Sequence, residues 1–270
     1  MSERTTQFIL TVAGWIAGIL WGLPLVYALW AAFHPSAYAT RFDLGAPLTL
    51  GNFVHAWQAA PFARYFLNTV ILVIGIMLAQ FVICTLAAFA LARWPFKGSG
   101  LLFGLILVQL MVTPDVLIVQ NYQTLHSLGL IDTLTGIAIP YVASAFGIFL
   151  LRQSFKTIPK ELDDAARLEG ATTLQTVTRI YLPLARPIYV AYGLVSVSYH
   201  WNNFLWPLIV TNSVETRPLT VGLQVFASVD QGIDWSVICA AALMTSAPLM
   251  VIFLLFQRAF IQSFLRAGIR

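Results

Sequence analysis

Residues 65–92 read YFLNTVILVIGIMLAQFVICTLAAFALA, twenty-eight positions in a row without an Asp, Glu, Lys or Arg, bounded by Arg64 and Arg93. An apolar α-helix needs only about 20 residues to cross the ~30 Å hydrocarbon core of a bilayer. A transmembrane β-strand would instead alternate over about 10 residues. Working outward, charge-free intervals recur at residues 5–40, 98–114, 133–151, 187–214 and 235–257. Because a charge at the bilayer centre costs about 2.5–3.5 kcal/mol on insertion scales, such intervals mark membrane spans. The predicted fold class is therefore an all-α integral membrane protein with six transmembrane helices, at about 8–33, 65–92, 99–119, 134–152, 187–210 and 236–257.

Composition agrees with this reading. Of the 270 residues 59% are hydrophobic and 10% charged, with a mean hydropathy of +0.81, whereas a soluble domain carries about a quarter of its residues as charges. An ordinary soluble enzyme is thereby excluded. The net charge of +4 is not gathered on one basic face, so nucleic acid is not an expected partner. Cys84 and Cys239 lie inside apolar runs and read as small buried hydrophobes rather than disulfide or metal ligands. The first apolar stretch, 8–33, is about twice as long as a signal-peptide core and is kept as a span. Assigning loops alternately to the two sides puts twelve Lys and Arg on one side and three (Arg41, Arg64, Arg217) on the other. The positive-inside rule then makes both termini cytoplasmic.

The outer loops, 35–64, 115–132 and 211–234, are too short for a folded domain of their own, so one transmembrane domain over 1–270 is expected. No internal repeat of 20–50 residues is evident, which disfavours a transporter made of two inverted halves and calls for a second subunit. Gly14, Gly18 and Gly22 form two small-xxx-small steps in the first span, a groove for a helix of this chain or of a partner. Pro24 and Pro248 are kink positions.

The inner loop 153–186 carries the densest information. Pro159 suits a first helical turn, and Glu161, Asp163 and Asp164 complement the helix dipole. Leu162, Ala165 and Ala166 share a face at i, i+3, i+4 spacing, and Gly170 supplies a left-handed stop. Thr172 with Gln175 fits a capping box. Leu174, Val177 and Tyr181 then form a stripe that Pro183 is expected to end. Small side chains and carboxylates suit a protein groove better than lipid headgroups.

Asp164-Ala165-Ala166, three residues, Gly170, nine residues, Ile180, one residue, Leu182-Pro183 resembles the EAA loop of ABC importer permeases. Asp164 stands where the family usually has Glu, and Glu161 is a candidate to compensate for its shorter reach. Further stretches resemble the maltose-type and glycerol-3-phosphate-type carbohydrate-uptake permeases: Asn68 after Arg64-Tyr65-Phe66-Leu67, Leu128-Gly129-Leu130, Phe149-Leu150-Leu151-Arg152-Gln153, Pro159-Lys160-Glu161-Leu162, Trp201-Asn202-Asn203-Phe204-Leu205-Trp206-Pro207 and Gln257-Arg258-Ala259-Phe260. The resemblance implies a type I importer-like bundle with a coupling helix, in a bacterial or archaeal cytoplasmic membrane. It also implies a heterodimer with a second permease, two ATPase subunits holding ATP and Mg, and an external binding protein. ATPase-coupling residues by this resemblance are Glu161, Asp164, Ala165, Ala166, Gly170, Ile180, Leu182 and Pro183.

Trp201, Asn202, Asn203 and Trp206 are candidates for a translocation path, because sugars need amide partners and aromatic faces. Bonds between helices and anchoring at the lipid interface are the alternatives. His200, beside them, reads as a structural donor. Asp115 falls near the outer boundary, about 25 Å from the inner charges at ~1.5 Å per residue. No phosphate-binding G-x-x-x-x-G-K-[ST], H-E-x-x-H or G-x-S-x-G motif occurs, and the four histidines lack ligand spacing, so no catalytic or metal site and no cofactor of its own are expected. The rival class, an ion-driven secondary transporter or channel subunit, would require a charged relay within the spans; the charge-free intervals contain none.

Overall fold

The computed structural model describes residues 3–43, 45–94, 96–227 and 234–268, the side chains of 3–5, 225, 227 and 258–268 excepted. Among the described residues all regular structure is helical: α1 (Glu3–Phe33), α2 (Gly51–Ala59), α3 (Phe62–Arg93), α4 (Ser99–Val108), α5 (Ile118–Ser127), α6 (Leu134–Ala138), α7 (Ala145–Thr157), α8 (Glu161–Leu168), α9 (Thr173–Thr176), α10 (Leu182–Leu184), α11 (Arg186–Trp201), α12 (Leu205–Val210), α13 (Leu219–Gly222) and α14 (Trp235–Gly268), with short 3-10 or π turns between some of them. Three of these contain uninterrupted spans, Thr6–Phe33, Phe62–Arg93 and Trp235–Gln257.

The other spans are bent. Ser99–Met111 and Pro114–Ser127 meet at 90°. Proline forces the residue before it out of the helical region, and Thr113 is accordingly extended (φ −69°, ψ 137°). Leu134–Tyr141 and Ala145–Thr157 meet at 47°, where Ser144 leaves the helix to cap α7, its Oγ accepting the Gly147 N–H. The predicted span 187–210 is likewise interrupted at 202–204, between α11 and α12. Asn202 closes α11 by donating from Nδ2 to the Ser198 carbonyl at 2.8 Å. Six spans result when each bent pair counts as one, the pairs including Thr173–Leu184 with Arg186–Trp201 at 80°.

The chain separates into two compact units. One comprises Met1–Phe62 with Gly222–Pro248, the other Ala63–Val221 with Leu249–Arg270. In the first, Ala31 and Ala32 pack with Cys239 and Ala240. Asn52 Nδ2 donates to the carbonyls of Ala32 (2.9 Å) and His34 (2.8 Å), satisfying the end of α1. A Cβ built at Gly14, Gly18 or Gly22 meets nothing within 4 Å, so the rest of this unit leaves that groove open.

In the second unit α3 is the organising element. Near its N-terminal end, on the side expected to be outer, Asn68 Nδ2 donates to the carbonyls of Glu215 (2.7 Å) and Arg217 (2.9 Å), and Thr69 Oγ1 accepts the Leu219 N–H. An outer cluster joins Leu72, Leu125, Ile137, Trp206 and Val210. An inner cluster joins Phe89, Leu151, Phe155, Ile158, Val177 and Tyr181 among others. Gln80 lies between the two, about 18 Å from Asn68 and about 20 Å from Arg93 at ~1.5 Å per residue.

Candidate coupling surface and intramembrane cavity

The inner loop folds as helix, glycine turn, helix. Gly170 is left-handed at φ +77°, a conformation that costs an L side chain roughly 1 kcal/mol or more. The Thr172–Gln175 capping box is formed in both directions, at 3.3 and 2.7 Å. Pro183 does not end the helical run. A π turn over Val177–Tyr181 precedes it and α10 contains it, the wider turn giving the proline ring room against the preceding backbone.

The faces of α8 differ from the spacing argument. Ala166 is buried, whereas Glu161, Leu162, Asp164 and Ala165 are exposed and Leu168 is 91% exposed. The helix is anchored by Asp163 instead. Tyr181 Oη donates to both Asp163 carboxylate oxygens at 2.7 and 2.8 Å, and Arg93 Nε stands 3.5 Å from Oδ2 in an ion pair. Arg93 also donates to the Ile158 carbonyl and lies over the Tyr181 ring, 5.1 Å from its centroid. The rings of Phe89 and Phe155 meet Tyr181 edge-on. The side chains of Arg93 and Asp163 are only 6% and 15% exposed, so the pair is held away from water and needs its other bonds to offset desolvation.

Gly170 thus sets the angle between two short helices, while Asp163, Arg93 and Tyr181 rivet them to the inner end of α3. Of the residues singled out in the sequence, Glu161, Asp164, Ala165 and Gly170 lie on the outward side, with Leu174 at 65% exposure and Leu182 at 39%. Ala166 packs inward, Ile180 is half-buried against the inner cluster, and Pro183 is exposed. Glu161 and Asp164, three apart and both exposed, lie on neighbouring positions of one face.

Between the inner and outer clusters lies a cavity of about 380 Å³. Of the four path candidates only Trp206 lines it; its Nε1 donates to the Ile137 carbonyl at 3.2 Å. Trp201 is buried against Phe66, and Asn202 is an exposed helix end. Asn203 borders a gap of about 10 Å³ with His200 and Tyr141, room for a single water at most. The interruption at 202–204 is what separates these side chains.

The cavity's polar wall comes from Gln80, Ser144, Tyr192, Ser196 and His200. Gln80 and His200 carried a signal in the sequence: a lone amide or imidazole within an apolar span is expensive unless it is paired or faces a cavity.

A helical loop pinned to a bundle of broken membrane helices that line a cavity fits an ABC importer permease, and the sequence relationships agree. The family model for the binding-protein-dependent transport system inner membrane component matches residues 3–266, and the chain belongs to that family. The arabinooligosaccharides transport system permease protein AraQ of Halalkalibacterium halodurans is 31% identical over 280 residues, covering 100% of both chains. The sn-glycerol-3-phosphate transport system permease protein UgpE of Shigella flexneri is 31% identical over 252 residues, covering 88% of this chain and 90% of that one. A chain in the crystal structure of a bacterial ABC transporter involved in importing the acidic polysaccharide alginate superposes with a TM-score of 0.84 at 21% identity, over 96% of this chain and 99% of that one. The protein is a multi-pass inner-membrane transport subunit.

Proposed function

We propose that this chain is one of two permease subunits of an ATP-driven importer for a carbohydrate or a related polyol or glycerol phosphate. Its partners are a homologous permease, two copies of a cytoplasmic ATPase that hold ATP and Mg, and an external binding protein that delivers the substrate; both termini face the cytoplasm. The observation that carries the reading is the loop 159–185, whose outward side offers Glu161, Asp164, Ala165 and Leu168 while its inward side is locked to α3. A surface so mounted transmits displacement rather than absorbing it. Closure of the ATPase dimer pushes α8, the Asp163–Arg93–Tyr181 anchor carries the motion to α3, and the spans reopen the cavity on the other side. Hydrolysis resets the cycle. The names of AraQ and UgpE support the substrate class.

Gly170→Val tests the coupling role. With φ at +77° a β-branched residue is strained whatever the free space, so the angle between α8 and α9 shifts. Uptake is expected to be lost at normal membrane levels and to be retained by Gly170→Asn, which tolerates the left-handed region. Unchanged uptake in Gly170→Val would contradict the reading.

A further inference from the structure

The carboxamide of Gln80, a residue 4% exposed on α3, has its two donor and two acceptor positions all taken. The Tyr141 carbonyl can only accept, so the amide nitrogen must face it. Nε2 donates there at 2.7 Å and to His200 Nε2 at 3.2 Å, while Oε1 accepts from Tyr192 Oη at 2.9 Å and Ser196 Oγ at 2.7 Å. One side chain thereby joins α3, α11 and the break between Leu134–Tyr141 and Ala145–Thr157. Tyr189, Tyr192, Ser196 and His200 follow one another three or four positions apart, a single stripe of α11 turned towards α3. Tyr189 Oη is bonded to Thr85 Oγ1, further along the same helix.

The break is why an amide is needed here. Within a membrane, a backbone group released from a helix has to be satisfied by the protein itself. The helical run ends at Tyr141, and Gln80 Nε2 supplies the donor that a further helical turn would have given its carbonyl. One turn on, Cys84 Sγ stands 3.5 Å from the Ser144 carbonyl, so α3 meets both sides of the break. Tyr141, Ala143 and Ser144 line the cavity, and the placing of Gln80 therefore sets the placing of that wall. In the other direction α3 runs from Gln80 to Arg93, about 20 Å at ~1.5 Å per residue, where the Asp163–Arg93–Tyr181 anchor holds the loop 159–185. Hydrogen bonds have preferred lengths and directions, whereas apolar contacts are non-directional and let packed helices slide.

We propose that Gln80 is a positioning residue of transport: its four hydrogen bonds make α3, α11 and the break at 141–144 one body, so that displacement entering at the loop 159–185 reaches the cavity wall. This rests on the importer reading above and names the side chain through which the motion arrives.

The test uses inside-out membrane vesicles carrying the complete transporter, with Ala143→Cys as a reporter. Ala143 is exposed in the cavity wall, whereas Cys84 and Cys239 are buried. A membrane-impermeant maleimide then reads access from the cytoplasmic side, before and after ATP is trapped with vanadate. With Gln80 present, trapping should lower the labelling rate about tenfold, as most of the population moves from one access state to the other. In Gln80→Met, which keeps the length of the side chain and loses every bond, the same trapped nucleotide per transporter should change the rate by less than about twofold. A role in stability alone would reduce the number of transporters and leave the change in rate at the parent value, and that result overturns the proposal. Adding Tyr192→Phe and Ser196→Ala to Gln80→Met removes the hydroxyls left without an acceptor, so the triple variant should regain assembly but not the response. It decides the matter if Gln80→Met alone fails to reach the membrane, and a parent-like response from it overturns the proposal too. Labelling that ignores trapped nucleotide even with Gln80 present, or no trapping of nucleotide at all, contradicts the importer reading and the proposal with it.

Discussion

Removing one hydroxyl, in Tyr181→Phe, should loosen the loop from the bundle. Tyr181 is fully buried, and its Oη donates to Asp163 at 2.7 and 2.8 Å. Both contacts belong to one shared proton, so the loss is that of a single bond to a charged acceptor, about 1.5–3 kcal/mol. The ring and its edge contacts with Phe89 and Phe155 stay. Asp163→Ala is more severe, because Arg93, 6% exposed, loses its carboxylate partner and keeps the Ile158 carbonyl and the Tyr181 ring. Breaking one partner of a buried pair costs about 3–5 kcal/mol. For a chain of this size about 2–4 °C of Tm follows each kcal/mol, which puts Tyr181→Phe about 3–12 °C below the parent complex and Asp163→Ala lower still. Thermal unfolding of the purified transporter, with ATP hydrolysed per substrate imported, reads both effects. The two residues share one carboxylate, so the double variant should be less harmful than the sum of the singles. Tyr181→Phe within 1 °C of the parent at an unchanged ATP-to-substrate ratio, or additive single effects, would refute the anchor.

Three other outcomes are expected. Gly147→Ala places a Cβ 2.5 Å from Tyr192 Cζ and Oη. Tyr192 is buried and bonded to Gln80 and cannot step aside, so overpacking should cost about 1–3 kcal/mol; Gly75→Ala, with nothing within 4 Å, should leave Tm unchanged or raise it. At the outer loop, burial tends to raise the Asp132 pKa, but bonds from the Thr216 hydroxyl and the Ser213 and Asn212 N–H groups outweigh it and hold the pKa at about 2. A folded pKa below the unfolded value of about 3.9 stabilises at neutral pH and loses that contribution as pH falls from about 4 through 2. The effect is on the order of 1 kcal/mol once solvent screening is allowed for, so the Tm deficit of Asp132→Asn seen at pH 6 should shrink towards zero at pH 2. Trp206→Phe deletes the buried bond to the Ile137 carbonyl, worth about 0.5–1.5 kcal/mol, and should lower Tm by a few degrees in thermal unfolding of the purified transporter.

The spans were legible in the sequence because desolvating a charge in lipid costs more than any local preference can offset, as the interval between Arg64 and Arg93 illustrates. The loop was legible because capping and left-handed turns are local: Thr172, Gln175 and Gly170 sit where their spacing put them. The breaks were less so. Pro114 and Asn202 are visible as residues, but whether a span bends at them depends on packing against other helices. The inward role of Asp163 was hidden, since its partners Arg93 and Tyr181 lie 70 and 18 positions away. The cavity was not legible in the sequence for the same reason. Its wall is assembled from residues of α3, α5, α7, α11 and α12, far apart in the chain, whereas the Trp-Asn-Asn run drew attention to a neighbouring helix end.

The most direct test of the account is the composition of the intact particle. The chain purified from its own host in mild detergent is to be weighed by native mass spectrometry, with an established ABC importer carried through the same preparation. One copy of this chain with one homologous permease and two ATPase subunits is the predicted result. A lone chain or a homo-oligomer, under conditions that keep the control importer whole, would contradict it.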